Sequence, residues 1–196
     1  MVVSGCEIFM EINDALPEYR RYTYADYCAL DDDKRYELID GTPYAMAAPS
    51  QAHQEISGNL HYQLYNFLKG KPCMVLAAPF DVRLNADSGD DTVVQPDLLV
   101  ICDKSKLDGK SCLGVPDMVI EILSSSTAMR DKLLKFRRYL KAGVREYWMV
   151  DPDNKVVSTH VLRNGEYVTN AYGDDDVVPV HVLNGCIVEL SEVFTE

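Results

Sequence analysis

Apolar and polar positions alternate along the chain in a pattern that predicts both helices and strands. Apolar residues at helical spacing predict helices over about 51–69 and 128–142. Short apolar runs between turn residues predict core strands at about 74–84, 93–102, 118–123 and 146–150. A helix between the last two strands indicates a crossover and parallel pairing, whereas the earlier strands are expected to pair antiparallel.

Turn residues predict further strands on both sides of this core. Asp40-Gly41 lies between two strand-like segments and predicts an N-terminal hairpin over about 35–47. Two Asn-Gly pairs in the last part of the chain predict a C-terminal β-meander over about 153–192. The element order therefore predicts an α/β (α+β mixed) fold, in which a mixed sheet is flanked by helices. At 196 residues we expect one domain, with its core at about 50–152.

Two acidic residues, Asp97 and Glu121, lie inside these apolar strands. A buried carboxylate is costly unless a metal ion, a cation or hydrogen bonds compensate it. If the two strands are neighbours, both carboxylates can converge near the middle of the sheet. With a main-chain carbonyl such as that of Ile122, and with waters, they would make a site for Mg²⁺ or Mn²⁺. The alternative for Asp97 is a solvent-facing bulge beside Pro96.

A lysine on the second predicted helix is the third candidate residue. Asp131, Lys135 and Tyr139 form a row at i, i+4 and i+8 along the border of the apolar stripe. From that border, Lys135 can reach towards the sheet acids and balance their charge, hold a phosphate or orient a water. The alternative is a solvated lysine that pairs with Asp131.

The charge and cysteine content of the chain restrict its partners. A net charge of −12 argues against strong non-specific binding to nucleic acid, which depends on many contacts from lysine and arginine. Basic residues cluster within 130–145, and a duplex substrate needs those cations on the same side as the acids. The six cysteines lack zinc-site spacing, and we expect a reduced, cytoplasmic protein. Neither a membrane span nor a Gly-rich nucleotide-binding loop is indicated.

The motifs taken together resemble a nuclease family. The chain resembles the restriction-endonuclease-like family of the PD-(D/E)XK superfamily over about 22–190. The motifs behind the resemblance are, in chain order, Tyr36-Glu37-Leu38-Ile39-Asp40-Gly41, His53, Val94-Gln95-Pro96-Asp97, Glu121-Ile122-Leu123-Ser124, Asp131, Lys135-Phe136, Tyr139, Gly143-Val144 and Glu146-Tyr147-Trp148-Met149-Val150-Asp151-Pro152. The resemblance implies an αβββαβ core and a metal-dependent endonuclease that hydrolyses phosphodiester bonds of nucleic acid, with DNA as the expected substrate. It also implies that Asp97 and Glu121 are metal ligands.

The sequence departs from this family pattern at the catalytic lysine. The superfamily lysine normally follows the second acid by two residues, and that position is Leu123 here. The resemblance implies that Lys135, on the following helix, takes its place. His53 also matches the pattern and could contact a phosphate, shuttle a proton or hydrogen-bond the hairpin. Glu37 matches as well, either as a further acid at the metal or as a structural partner, and Glu55 ranks below it.

Two other functions stay open from the sequence. One is a binding or scaffold module that keeps the nuclease fold without catalysis, which the acidic net charge favours. The other is a metal-dependent hydrolase of a small phosphoester, whose cleft would be narrow and lack a basic rim. Free strand edges in the predicted meander favour self-association, and a homodimer would suit cleavage of both strands.

Overall fold

The structure is a computed structural model and describes residues 20–30, 34–124 and 131–195, without the side chains of residues 131 and 132. Its described helices are α1 (Tyr24–Cys28), α2 (Gln51–Leu68) and α3 (Phe136–Ala142), and a π-helical turn, Asp131–Lys135, leads directly into α3. Short 3-10 segments cover Lys104–Lys106 and Leu190–Glu192. None of the described helices is both long and apolar enough to cross a membrane.

The described strands form two mixed sheets and one separate hairpin. They are β1 (Tyr36–Ile39), β2 (Thr42–Ala45), β3 (Met74–Ala77), β4 (Asp81–Arg83), β5 (Val93–Val94), β6 (Leu98–Ile101), β7 (Ser111–Leu113), β8 (Met118–Ile122), β9 (Glu146–Asp151), β10 (Val156–Arg163), β11 (Glu166–Tyr172), β12 (Val177–Pro179) and β13 (Ile187–Glu189). The larger sheet has the order β11-β10-β9-β8-β6-β3, the smaller sheet has the order β2-β1-β5-β4-β7, and β12 pairs with β13.

The larger sheet contains the predicted αβββαβ core. β3, β6 and β8 pair antiparallel, whereas β8 and β9 pair parallel across the crossover that contains α3. The apolar stripe of α2 packs on one face of this sheet with alternate residues of β6 and β8. The other residues of these strands pack with Tyr139 of α3 on the opposite face. Alternate residues of the central strands thus face α2, and the residues between them face α3. The predicted fold class is confirmed.

Two predicted strands are each divided between the two sheets. The run at 74–84 forms β3 and β4, which are separated at the cis Ala78–Pro79 peptide bond. The run at 93–102 forms β5 and β6, which are separated around Pro96. Proline lacks the N–H that a ladder requires, so each ladder ends there and the chain passes to the other sheet. The polar linker at 103–115 contributes β7, which sequence reasoning did not predict, and β7 pairs parallel with β4.

The expectation of fully reduced cysteines is wrong for one pair. Cys73 and Cys102 form a disulfide. β3 and β6 pair with Met74 opposite Ile101, so the residues one step beyond this end of the ladder also lie opposite each other. The sequence separation of 29 residues gave no sign of that proximity. Within the described residues, Cys28, Cys112 and Cys186 are free thiols.

The hairpin of β1 and β2 is fixed to the body of the protein at its turn. Asp40 and Gly41 both have positive φ values, +51° and +76°, as a tight two-residue turn requires. A Cβ at Gly41 would lie 2.8 Å from the Cβ of Arg21. The Tyr22 N–H donates a hydrogen bond to the Gly41 carbonyl at 2.9 Å. The segment before α1 therefore holds the hairpin in place.

We expect Gly41→Ala to destabilise the protein more than Gly165→Ala. Both glycines have positive φ values, which cost an alanine about 1–2 kcal/mol, but a Cβ at Gly165 would contact nothing within 4 Å. At Gly41 the overlap with Arg21 adds about 1–3 kcal/mol. Urea unfolding of the two variants measures the difference. Equal losses would show that the chain around Arg21 moves away without cost.

Aromatic rings pack α3 against the larger sheet. The ring of Phe136, at the start of α3, lies 5.0 Å from the ring of His160 and 5.4 Å from that of Tyr167. His160 Nδ1 also lies 2.8 Å from Thr169 Oγ1. Burial lowers the pKa of His160 to about 4. The ring is therefore neutral in the folded protein at neutral pH.

This histidine predicts a pH dependence of stability. The unfolded chain takes up a proton at His160 below its ordinary pKa of 6.5, and the folded chain does so only near 4. The free energy of unfolding should therefore decrease as the pH falls through this interval. His160→Gln should reduce this slope in urea unfolding, whereas His181→Gln, at an exposed site, should keep it. An unchanged slope in His160→Gln would contradict the expectation.

Candidate active site

The pairing of β6 with β8 places the two sheet acids across from each other. Leu98 pairs with Ile120, and continuing this register by one residue sets Asp97 opposite Glu121. Residues opposite each other in an antiparallel pair point to the same face. Both acids line one cavity of about 110 Å³. The cavity lies where the chain passes from the smaller sheet into the larger one.

Lys135 is buried at the centre of this site, with 2% of its surface exposed. Its Nζ lies 2.7 Å from Glu37 Oε1 and 2.9 Å from Glu121 Oε1. Lys135 is the last residue of the π-helical turn, a feature that occurs often at functional sites. Two buried carboxylates would be costly alone, and the ammonium between them offsets part of that cost.

Tyr139 holds Glu121 from the same side as Lys135. Its hydroxyl donates a hydrogen bond to Glu121 Oε1 at 2.6 Å, and it lies one turn after Lys135. Burial, followed by the charges of Glu121 and Glu37, raises the pKa of Tyr139 well above its ordinary value. The hydroxyl therefore stays protonated and acts as a donor. The predicted row of Lys135 and Tyr139 faces the sheet acids and not solvent.

Glu37 brings the smaller sheet into the site. It is fully buried on β1, and its Oε1 accepts a hydrogen bond from the Gln95 N–H at 2.9 Å. The Gln95 side chain in turn donates to Asp81 Oδ1 at 2.8 Å and accepts from Arg35 at 2.8 Å. Gln95 and Arg35 line the cavity, and sequence reasoning assigned neither of them to the site. For Gln95 the available signal was a polar residue inside an apolar run, two positions before Asp97.

Asp97 is held by backbone and by a histidine. Its Oδ2 accepts a hydrogen bond from the Ile122 N–H at 2.7 Å and lies 3.2 Å from His53 Nε2. His53 lies in the first turn of α2, which Ser50 caps. Burial disfavours the charged ring, but the hydrogen bond and charge of Asp97 outweigh it and raise the pKa of His53. Protonated His53 can therefore act as a donor beside Asp97.

Other predicted residues lie away from the cavity or outside the described part. The Asp131 side chain is not among the described residues. Glu55 is exposed on α2 and accepts a hydrogen bond from Gln51. Arg138 pairs with Asp40, and Arg145 pairs with Asp117 at 3.0 Å. Among the described lysine and arginine side chains, those that line the cavity are Arg35 and Lys135.

The donor chemistry of the cavity suits a hard divalent ion. Asp97, Glu121 and Ile122 line the same cavity, and Mg²⁺ is usually bound by one or two carboxylates with several waters. The described residues contain no group of three or more His, Cys, Asp or Glu side chains that could hold an ion. Together with a main-chain carbonyl and waters, the carboxylates of Asp97 and Glu121 would be the donor set for such an ion.

The fold and the arrangement of these residues define a restriction-endonuclease-like protein, and comparison with known proteins agrees. The chain belongs to the Uma2 family, described as putative restriction endonuclease, whose family model matches residues 17–191. This confirms the family resemblance found in the sequence.

A relative and a solved structure extend the comparison. An uncharacterized protein from Synechocystis sp. is 30% identical over 145 residues, which cover 73% of this chain and 75% of that protein. The crystal structure of a putative nuclease belonging to DUF820 from Anabaena variabilis superposes with a TM-score of 0.71. The two sequences are 19% identical, and the superposition covers 88% of this chain and 97% of the Anabaena chain. The two proteins therefore share a fold.

The geometry predicts that Lys135→Met strongly destabilises the fold. The substitution keeps a similar shape but leaves Glu37 and Glu121 without their shared ammonium, and breaking a buried ion pair costs about 3–5 kcal/mol. Tyr139→Phe, which removes one donor to Glu121, should cost about 1–3 kcal/mol. Both losses are measured by urea unfolding.

An exposed lysine on the same helix provides the control for this experiment. Lys141→Met should change the free energy of unfolding by no more than about 0.5 kcal/mol. If Lys135→Met is as stable as Lys141→Met, the ion pairs at Lys135 do not hold the site together.

Proposed function

We propose that the protein is a metal-dependent endonuclease that hydrolyses phosphodiester bonds of DNA. One observation supports this most strongly: Asp97 just before β6, Glu121 of β8 and Lys135 of the π-helical turn line one cavity. A cavity of about 110 Å³ can hold an ion, its waters and a phosphate oxygen, but it is too small to enclose a base pair. The scissile phosphate therefore has to enter from a strand that lies across its opening.

Each residue has a distinct role in this proposal. Asp97 and Glu121, with the Ile122 carbonyl, would hold Mg²⁺ or Mn²⁺. The bound ion would polarise a phosphoryl oxygen and lower the pKa of a water. Lys135 has only donors and is held between two carboxylates, so it orients the water and stabilises negative charge on the phosphate. Glu37 and Tyr139 are positioning residues that fix Lys135 and Glu121.

The reaction is an ordinary hydrolysis. The water oxygen forms a bond to phosphorus while the bond from phosphorus to the leaving sugar oxygen breaks. The attacking water releases its proton to solvent, and the leaving sugar oxygen takes up a proton. His53 lies next to Asp97, which raises the pKa of the His53 ring despite its burial. His53 is therefore the candidate donor of the proton to the leaving oxygen.

The proposal extends to the assembly and the location of the protein. A homodimer would suit cleavage of both strands, and β11, an edge strand with mostly exposed residues, offers a surface for pairing. We place the protein in the cytoplasm with its substrate. Disulfides are uncommon in that compartment, so the Cys73–Cys102 bond would be an exception there. Light scattering measures the oligomeric state directly.

Cleavage of plasmid and oligonucleotide DNA with Mg²⁺ or Mn²⁺ tests the proposal. Asp97→Asn should lower the rate at least about 100-fold, because it removes a ligand charge from the metal site. Glu55→Gln is the matched control, since Glu55 is an exposed acid on α2 outside the cavity, and it should cleave like the parent. Equal rates for the two variants would contradict the assignment of Asp97.

Calorimetry separates this proposal from the scaffold alternative. The parent protein should bind Mn²⁺, and Asp97→Asn should bind it more weakly. A protein that binds no divalent ion and cleaves no DNA would refute the proposal and favour a binding module with the nuclease fold.

A further inference from the structure

A trough runs from the candidate active site along one side of α2. The cavity at Asp97 and Lys135 continues into a second cavity, and the two share His53 and Asp97 among their lining residues. The second cavity follows α2 past Ser57 to His61. A third cavity lies further along the same helix, beside β3, which is an edge strand of the larger sheet.

The residues of α2 that border this trough recur every four positions. His53, Ser57, His61 and Tyr65 lie on one face of the helix, and the first and last are about 18 Å apart along its axis. That length corresponds to about five phosphates at the spacing of a single strand in a duplex. The trough is therefore long enough for several nucleotides.

Two aromatic rings form an open platform in the trough. The rings of His61 and Tyr65 are stacked, with centroids 6.0 Å apart and an angle of 18° between their planes. Tyr65 is 52% exposed, and its outer part is open to solvent. Gly58 lies between the platform and the active site, and a Cβ there would meet nothing within 4 Å. The space beside Gly58 is therefore open.

The charges around the trough fit one strand better than two. Among the described side chains, Arg35 and Lys135 line the cavity at one end, and Lys69 lines the far end. Arg138 and Arg145, which a duplex would need as phosphate contacts, are instead paired with Asp40 and Asp117. The bases of a duplex are stacked on each other, so their faces could not stack on the platform. A duplex also presents two phosphate backbones, which these few cations could not neutralise.

We propose that the trough along α2 binds an unpaired strand of nucleic acid, whose bases stack on His61 and Tyr65 while its backbone leads to Asp97. This inference rests on the proposed nuclease function and narrows its substrate to single-stranded DNA or an unpaired end. Stacking on aromatic rings tolerates any base, so sequence specificity is not expected from this surface. Ser57 and Gly58 leave room for the sugar and phosphate between platform and cavity.

Fluorescence anisotropy in EDTA tests the inference without cleavage. The probes are a labelled oligothymidylate, the same strand with abasic sites, and a duplex of equal length. The parent should bind the oligothymidylate more tightly than either of the others. His61→Ala and Tyr65→Ala should each weaken binding of the oligothymidylate by about 5- to 150-fold, with less effect on the abasic strand. Tyr62→Ala, on the same helix and 64% exposed, should bind like the parent.

A second variant blocks the trough without weakening the helix. Gly58→Leu replaces a helix-interior glycine with a better helix former, so the protein should fold at least as well. Its side chain would project into the open space beside the platform and should reduce binding of the oligothymidylate. Circular dichroism and thermal unfolding check the fold.

Three outcomes would overturn the inference. These are equal binding of the duplex and the single strand, equal effects of Tyr65→Ala and Tyr62→Ala, and a change of oligomeric state in Tyr65→Ala without a change in strand binding. The last would assign the surface to contacts between copies of the chain. Because the binding assay needs no cleavage, its failure is distinguishable from failure of the nuclease proposal, which is tested by hydrolysis of DNA and by Mn²⁺ binding.

Discussion

The buried ammonium of Lys135 is the interaction on which the candidate site depends. It joins Glu37 of the smaller sheet and Glu121 of the larger sheet at 2.7 and 2.9 Å. Either carboxylate alone would be costly to bury, and so would the ammonium. The β1–β2 hairpin, β8 and the π-helical turn must therefore all be in place before any of the three buried charges is compensated. This coupling gives the site one preferred arrangement.

The meeting of two sheets gives the two acids different surroundings. The ladder ends near Pro96, and Asp97 follows at the break, partly open to the cavity, whereas Glu121 is buried within β8. One acid is thus held by the Ile122 N–H and His53, and the other by Lys135 and Tyr139. In the proposed reaction both acids hold the ion, and they reach it from different surroundings. One carboxylate lies near the entrance, and one is locked beside the ammonium.

The net charge of −12 and a nucleic-acid substrate are compatible because affinity does not have to come from many cations. Two arginines of the basic segment, Arg138 and Arg145, are engaged in ion pairs with Asp40 and Asp117. In such a protein, an ion at the carboxylates and stacking on exposed rings would supply the attraction that lysines and arginines supply elsewhere. Both depend on small groups of residues, so the charge of the remaining surface is free to vary.

Local patterns in the sequence determined the elements and the order of the core. Hydrophobic periodicity depends on neighbouring residues, so it located α2, the core strands and the positions of Asp97 and Glu121 on one strand face. The tertiary structure decided what depends on distant segments. It divided two predicted strands between two sheets, joined Cys73 to Cys102, and placed Glu37 and Gln95 beside Lys135. Pairing between segments far apart in the chain produces these contacts, and periodicity within one segment contains no information about its partner.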